Sequence, residues 1–107
     1  MKDFTNNQID RKIPINDLIL LGIYLLEKEE KLCDFEALIG KCFNLSPKSI
    51  SFKRNKWPDS RKIDRPLRDL KKNDLVSISP KLIFTLTKKG VKKSLEIIKV
   101  LYQGKLL

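Results

Sequence analysis

Few residues in this chain could do covalent chemistry. Histidine is absent from all 107 residues. That removes the usual general base near neutral pH, the Ser–His and Cys–His nucleophile pairs and the commonest metal ligand. Cys33 and Cys42 remain as soft ligands, but two thiols without a further Cys pair or His do not make a zinc site. On one shared helix they would stand about 13 Å apart along the axis at about 1.5 Å per residue, beyond disulfide reach. Both are expected to be reduced thiols facing the core, as suits a cytoplasmic protein. The four glycines form no phosphate-cradling loop. No catalytic residue, cofactor or metal is expected, and the chain reads as a non-enzyme.

Binding chemistry is better represented. The chain carries 23 Lys plus Arg against 13 Asp plus Glu, a net charge of +10. The charge is uneven: residues 1–47 hold 6 basic and 8 acidic side chains, residues 48–107 hold 17 and 5. A basic half of this kind points to a polyanion, nucleic acid before an anionic membrane surface. Its densest stretch is SRKIDRPLRDLKKND, residues 60–74. At about 100° per residue, Arg61, Arg65, Arg68 and Lys72 fall within about 60° of one another on a helix. Ile63, Leu67 and Leu70 fall on the opposite side, while Asp64 and Asp69 flank the basic stripe. Arginine suits phosphate forks and guanine edges better than lysine does. A solvated face and an acidic protein partner are the competing readings.

Pro66 allows two placements of that helix. With Asp64 as cap, Pro66 sits in the first turn, where a missing N–H costs little. Alternatively the helix starts near Asp59–Ser60 and kinks at the proline. The expected DNA-contacting set is Lys53, Arg54, Lys56 and Ser60 on the approach, with Arg61, Lys62, Arg65, Arg68 and Lys72 on the helix. Lys81, Lys88 and Lys89 follow beyond it. Trp57 could stack on a base, but beside a proline it reads rather as a packing anchor.

The elements that must position these residues follow from periodicity. A polar lead-in of residues 1–15 precedes one domain, 16–107, long enough for a single modest core. Leu18–Lys31 is apolar almost all round at first, the mark of a central helix, with Asn16 or Asp17 as cap. Asp34 caps a second helix, Phe35–Phe43, whose Phe35, Leu38, Ile39 and Cys42 form one stripe. Gly40 inside it would be better tolerated if a neighbour packs closely there. Ser46–Pro47 can start a short extra helix. After the basic helix the period changes to two, with LVSIS and LIFTLT around Pro80–Lys81, a hairpin. Thr87 then caps a last helix, Lys88 to about Gln103. Its stripe of Val91, Leu95, Ile98, Leu101 and Tyr102 is widened by Ile97 and Val100 and, together with the apolar surplus of the first helix, exceeds what a small core needs. Leu95, Ile98, Leu101 and Tyr102 are therefore the expected contacts of a homodimer, which would place two basic helices about 34 Å apart. The longest apolar run, Leu18–Leu26, is too short to span a bilayer. The protein is thus expected to be soluble, with no membrane partner.

The order helix–helix–(short helix)–helix–hairpin–helix, mainly α with a β-hairpin (α+β), resembles the winged helix, or winged helix-turn-helix. Three stretches carry the likeness. LTKKG at Leu86–Gly90 resembles the "LT-x-x-G" ending of a wing strand in many small prokaryotic and phage-type regulators. WPDSRKIDRPLRDLKKNDLV, 57–76, resembles a recognition helix with its step into the wing, and DFEALIGKCFNL, 34–45, resembles the supporting second helix. One departure is the connector of about fifteen residues, 44–58, where a simple helix-turn-helix uses three or four. The resemblance implies a double-stranded DNA-binding protein, a transcription regulator acting through its recognition helix and wing. The alternative is a winged-helix module that docks on protein or RNA inside a larger assembly.

Overall fold

The computed structural model describes residues 14–46 and 61–106, with side chains placed from 14 to 46 and from 62 to 101. The expected short helix after Ser46, and Trp57, lie outside the described residues. Helix α1 spans Ile15–Lys28 and α2 spans Phe35–Leu45. Helix α3 spans Arg61–Lys72, and strands β1 (Val76–Ile78) and β2 (Phe84–Leu86) lead into α4 (Lys88–Leu106). The described chain is thus mainly helical with one antiparallel hairpin, in register Val76↔Leu86, Ser77↔Thr85 and Ile78↔Phe84.

Helix α1 is the hub. Leu18, Ile19, Leu20, Leu21, Gly22, Ile23, Leu25 and Leu26 are all buried, because α2, α3, α4 and β2 pack around it. It starts three residues earlier than the sequence suggested. Pro14 occupies the cap position without a side-chain hydrogen bond, and Asp17 lies in the first turn, where its charge suits the helix dipole. It also ends earlier, at a Schellman turn. Glu30 takes φ 58°, its N–H donates to Glu27 O (3.1 Å), and Lys31 N–H donates to Leu26 O (3.0 Å).

Asp34 caps α2 as expected, its Oδ1 accepting from Ala37 N–H at 2.8 Å. Leu38, Cys42 and Leu45 are buried, and α2 runs two residues past Phe43. No neighbour packs closely at Gly40: a Cβ there meets nothing within 4 Å. The close approach of α1 to α2 is made instead at Gly22, where a Cβ would fall 3.0 Å from Cys42 Sγ and 3.2 Å from Leu38 Cδ1. Phe35 faces the hairpin, its ring set edge-on to Phe84 with centroids 6.4 Å apart.

The hairpin strands are shorter than the alternating runs that encode them. The outer edge of β2 is closed by α1 and the turn after it. Phe84 N–H donates to Cys33 O at 2.8 Å, and Leu86 N–H donates to Glu27 Oε2 at 2.8 Å. A strand edge satisfied in this way offers no template for further pairing.

The junction of α3, β1 and α4 explains the LTKKG stretch. Helix α3 ends in a second Schellman turn, with Asp74 at φ 63° and Leu75 N–H donating to Leu70 O at 2.9 Å. Thr87 joins the two helices. Its Oγ1 accepts from Gly90 N–H (3.0 Å) as the cap of α4 and donates to Asp74 O (2.7 Å). Gly90 sits so close to the preceding turn that a Cβ would fall 2.0 Å from Leu75 O. Only glycine fits there.

The buried stripe of α4 is rotated by one residue from the expected one. Gly90, Ser94, Ile97 and Leu101 face inward, Val91 and Ile98 are half-buried, and Leu95 is exposed. The small residues decide this. Ser94 is fully buried, its Oγ donating to Gly90 O at 2.9 Å and lying 3.5 Å from Leu20 O of α1. Among the described residues no helix is long and apolar enough to cross a membrane.

Candidate nucleic-acid interface

Helix α3 separates its two kinds of side chain cleanly. Ile63, Leu67 and Leu70 are buried against the core, while Lys62, Arg65, Arg68, Lys71 and Lys72 are exposed. Because the buried triplet is centred about half a turn from the Arg65–Arg68–Lys72 stripe, the cations point directly away from the protein. Of the two placements of Pro66, the structure adopts the longer helix: Asp64 lies in the first turn and Pro66 inside. Proline offers no N–H to the turn below it, so α3 lacks one bond of its ladder. Arg61 belongs to the helix, but its side chain lies outside the description, as do Lys53, Arg54, Lys56 and Ser60 entirely.

One acidic residue does more than flank the stripe. Asp64 Oδ2 lies 3.3 Å from Arg68 Nη2, both side chains well exposed. An exposed pair four residues apart on a helix is worth about 0.3–0.5 kcal/mol, so a stronger anion can displace it.

The other expected cations fall into two places. Lys81 is exposed at the hairpin tip, and Lys88 is exposed on the first turn of α4. Lys89 Nζ donates to Asn73 O at 3.3 Å, a cation on a C-terminal carbonyl of α3. With the Thr87–Asp74 bond, this brings the C-terminal end of α3 beside the N-terminal end of α4. Lys71 and Lys72 are exposed on the last turn of α3, and Lys88 and Lys89 on the first turn of α4. Lys71 lies about 80° to 100° off the arginine stripe and was not among the expected contacts.

The acidic half of the chain is used structurally. Glu29 bridges Lys41 at 2.6 Å and Lys31 at 3.4 Å. The hydrogen bond from Lys41 holds its carboxyl below the ordinary value, against a smaller opposing effect of burial. The thiols are chemically quiet. Burial pushes Cys33 up to about 12, with the charges of Glu27 and Asp34 adding to the shift. Burial also raises Cys42, with Cys33 as a second cause. Both are free, and Cys42 Sγ lies 3.8 Å from Leu18 O, a weak bond across α1 and α2. Among the described residues no His, Cys, Asp and Glu cluster could hold a metal ion.

Of the residues expected at a dimer interface, Leu101 is buried in the chain's own core, Ile98 is half-buried and Leu95 is 49% exposed. The Tyr102 side chain lies outside the description. Comparison with protein-family models, with curated proteins and with solved structures found no match for this chain.

Proposed function

We propose that this chain is a double-stranded DNA-binding protein of winged-helix type, a regulator that acts by occupying DNA rather than by catalysis. Helix α3 lies in the major groove, which is wide enough for an α-helix, and the hairpin of residues 75–87 lies against the neighbouring backbone or minor groove. Arg65 and Arg68 reach guanine edges or phosphates. Lys72, with Lys71, Lys88 and Lys89 at the helix junction, neutralises the flanking phosphates. The observation that carries this reading is the division of α3 into a buried Ile63–Leu67–Leu70 face and an outward Arg65–Arg68–Lys72 face. A helix whose only task is to be solvated gains most from alternating signs along its exposed surface. Here one ion pair, Asp64–Arg68, interrupts a stripe that is otherwise basic.

A second copy would pair through the half-covered side of α4, using Leu95, Ile98 and Tyr102, so that two α3 helices meet successive half-sites.

The test is duplex binding as a function of salt. Affinity is expected to fall steeply, by about 10³-fold or more between 50 and 200 mM salt if six or more phosphates are neutralised. Arg65→Ala and Arg68→Ala should each weaken binding while leaving the melting temperature nearly unchanged, since both side chains stand in solvent. Undetectable binding at low salt, or parent-like binding by both variants, refutes the reading. Preferential binding of single-stranded RNA or of an acidic protein would favour an assembly module instead.

A further inference from the structure

The hairpin tip holds a bulky apolar side chain out into solvent on an unfavourable backbone. Leu82 is 63% exposed and has φ 62°, the left-handed region that favours glycine. Among the described residues it alone combines a large exposed apolar side chain with a positive φ. The other two positive-φ residues, Glu30 and Asp74, are polar and close helix ends. Leucine is a poor choice if the position serves only to turn the chain.

The tip is also fixed. Leu82 N–H donates to Ser79 O (2.9 Å), Ser79 N–H donates to Ile83 O (3.0 Å), and Ile83 N–H donates to Ser79 Oγ (3.1 Å). Pro80 presets its own φ within the same turn. Three hydrogen bonds through Ser79 thus hold Leu82 in place, beside the exposed ammonium of Lys81. An apolar wedge next to a cation, on a rigid turn, has the chemistry to enter a base step while neutralising the adjoining phosphate.

We propose that Leu82 is a wedge that inserts into the minor groove of bound duplex DNA and partly unstacks one base step, with Lys81 on the flanking phosphate. This rests on the DNA-binding reading above and extends it from charge contact to deformation. It follows that the bound duplex is kinked. The preferred site also carries a deformable pyrimidine–purine step where the hairpin tip lands, because such steps unstack most easily.

The experiment uses the full chain and end-labelled duplexes of roughly three helical turns, carrying either a central TA step or a stiff A-tract. End-to-end energy transfer and affinity are measured together for the parent, Leu82→Asn, Leu82→Gly and Lys81→Ala. Asparagine and glycine both tolerate the left-handed backbone, so the tip should keep its shape, which melting temperatures at or above the parent's would verify. The parent should bend the TA duplex and prefer it to the A-tract. Leu82→Asn and Leu82→Gly should bind it roughly tenfold or more weaker, the worth of burying about one leucine side chain, and leave it straight. Lys81→Ala should weaken both duplexes alike and reduce the salt slope by about one. If the parent binds in a salt-dependent manner but leaves DNA straight, or Leu82→Asn keeps the parent's affinity and bend, the wedge is wrong while the α3 reading stands. If the parent binds no duplex at low salt, both are wrong.

Discussion

Replacing Gly90 by alanine tests the junction between the end of α3 and the start of α4. The new Cβ would fall 2.0 Å from Leu75 O, where ordinary contact begins at 3.4 Å, and 3.3 Å from Leu86 Cδ2. The carbonyl cannot simply retreat, because it accepts Thr87 N–H at 3.1 Å while Leu75 N–H is held by Leu70 O at 2.9 Å. Moving the first turn of α4 away instead pulls on the Thr87 cap and on its bond to Asp74 O. Overpacking of this kind costs about 1–3 kcal/mol, and loosening the cap costs about 1 kcal/mol more. Alanine returns about 1 kcal/mol through helix propensity. The net expectation is a loss of about 1–3 kcal/mol, a sizeable share of the 5–15 kcal/mol that typically separates folded from unfolded. Gly40→Ala is the matched control: it is also a helical glycine, but a Cβ there meets nothing, so propensity alone should stabilise by about 0.5–1 kcal/mol. Urea denaturation of the three proteins at neutral pH reads both values. If Gly90→Ala is as stable as the parent, the close approach of α4 to Leu75 is wrong, and with it the docking of the start of α4 on the end of α3.

Three further outcomes are expected. Asp64→Asn frees the Arg68 guanidinium from its 3.3 Å partner and removes a negative charge facing the phosphates, so duplex affinity should rise by about threefold or more; a fall would place Asp64 among the DNA contacts. Glu27→Ala leaves the Leu86 N–H at the edge of β2 without the acceptor it now meets at 2.8 Å. It should cost about 1 kcal/mol and speed hydrogen exchange at Leu86, and unchanged exchange there would count against this edge closure. The raised thiol of Cys33 makes stability depend on alkaline pH. The folded thiol keeps its proton to about 12, whereas in the unfolded chain it ionises near 8.5. The contribution is therefore complete below that unfolded value and is lost progressively as pH rises from there toward 12. Cys33→Ala should flatten this decline relative to the parent in denaturation series above pH 9, and native Cys33 and Cys42 should resist alkylation until the chain unfolds.

Periodicity made most of the architecture legible. The all-round apolar run 18–26 announced the hub helix, Asp34 and Thr87 were readable as caps, and the change to period two located the hairpin. The inward Ile63, Leu67 and Leu70 and the outward Arg65, Arg68 and Lys72 followed from 100° spacing alone, since a helix fixes which side chains share a face. Glycine was harder to read. Gly40 was the glycine that drew attention, yet the close contacts are at Gly22 and Gly90, because a local pattern carries no information about which element arrives from elsewhere. The inward face of α4 was only partly legible for the same reason: buried Ile97 and Leu101 lay within the expected arc, Gly90 and Ser94 did not. Apolar Val91, Leu95 and Ile98 drew attention, while small Gly90 and Ser94 let the helix settle against Leu75 and Leu20.

By itself, then, the sequence determined the element order, the caps that begin α2 and α4, the two faces of α3 and the absence of histidine chemistry. These are properties of near neighbours and of composition. Tertiary structure alone decided two things: which face of α4 is buried, and that the end of α3 meets the start of α4 through Asp74 with Thr87 and Asn73 with Lys89. Each depends on groups far apart in sequence, such as the Lys89 ammonium with Asn73 O and Gly90 with Leu75 O, meeting at distances that only the packed chain can set.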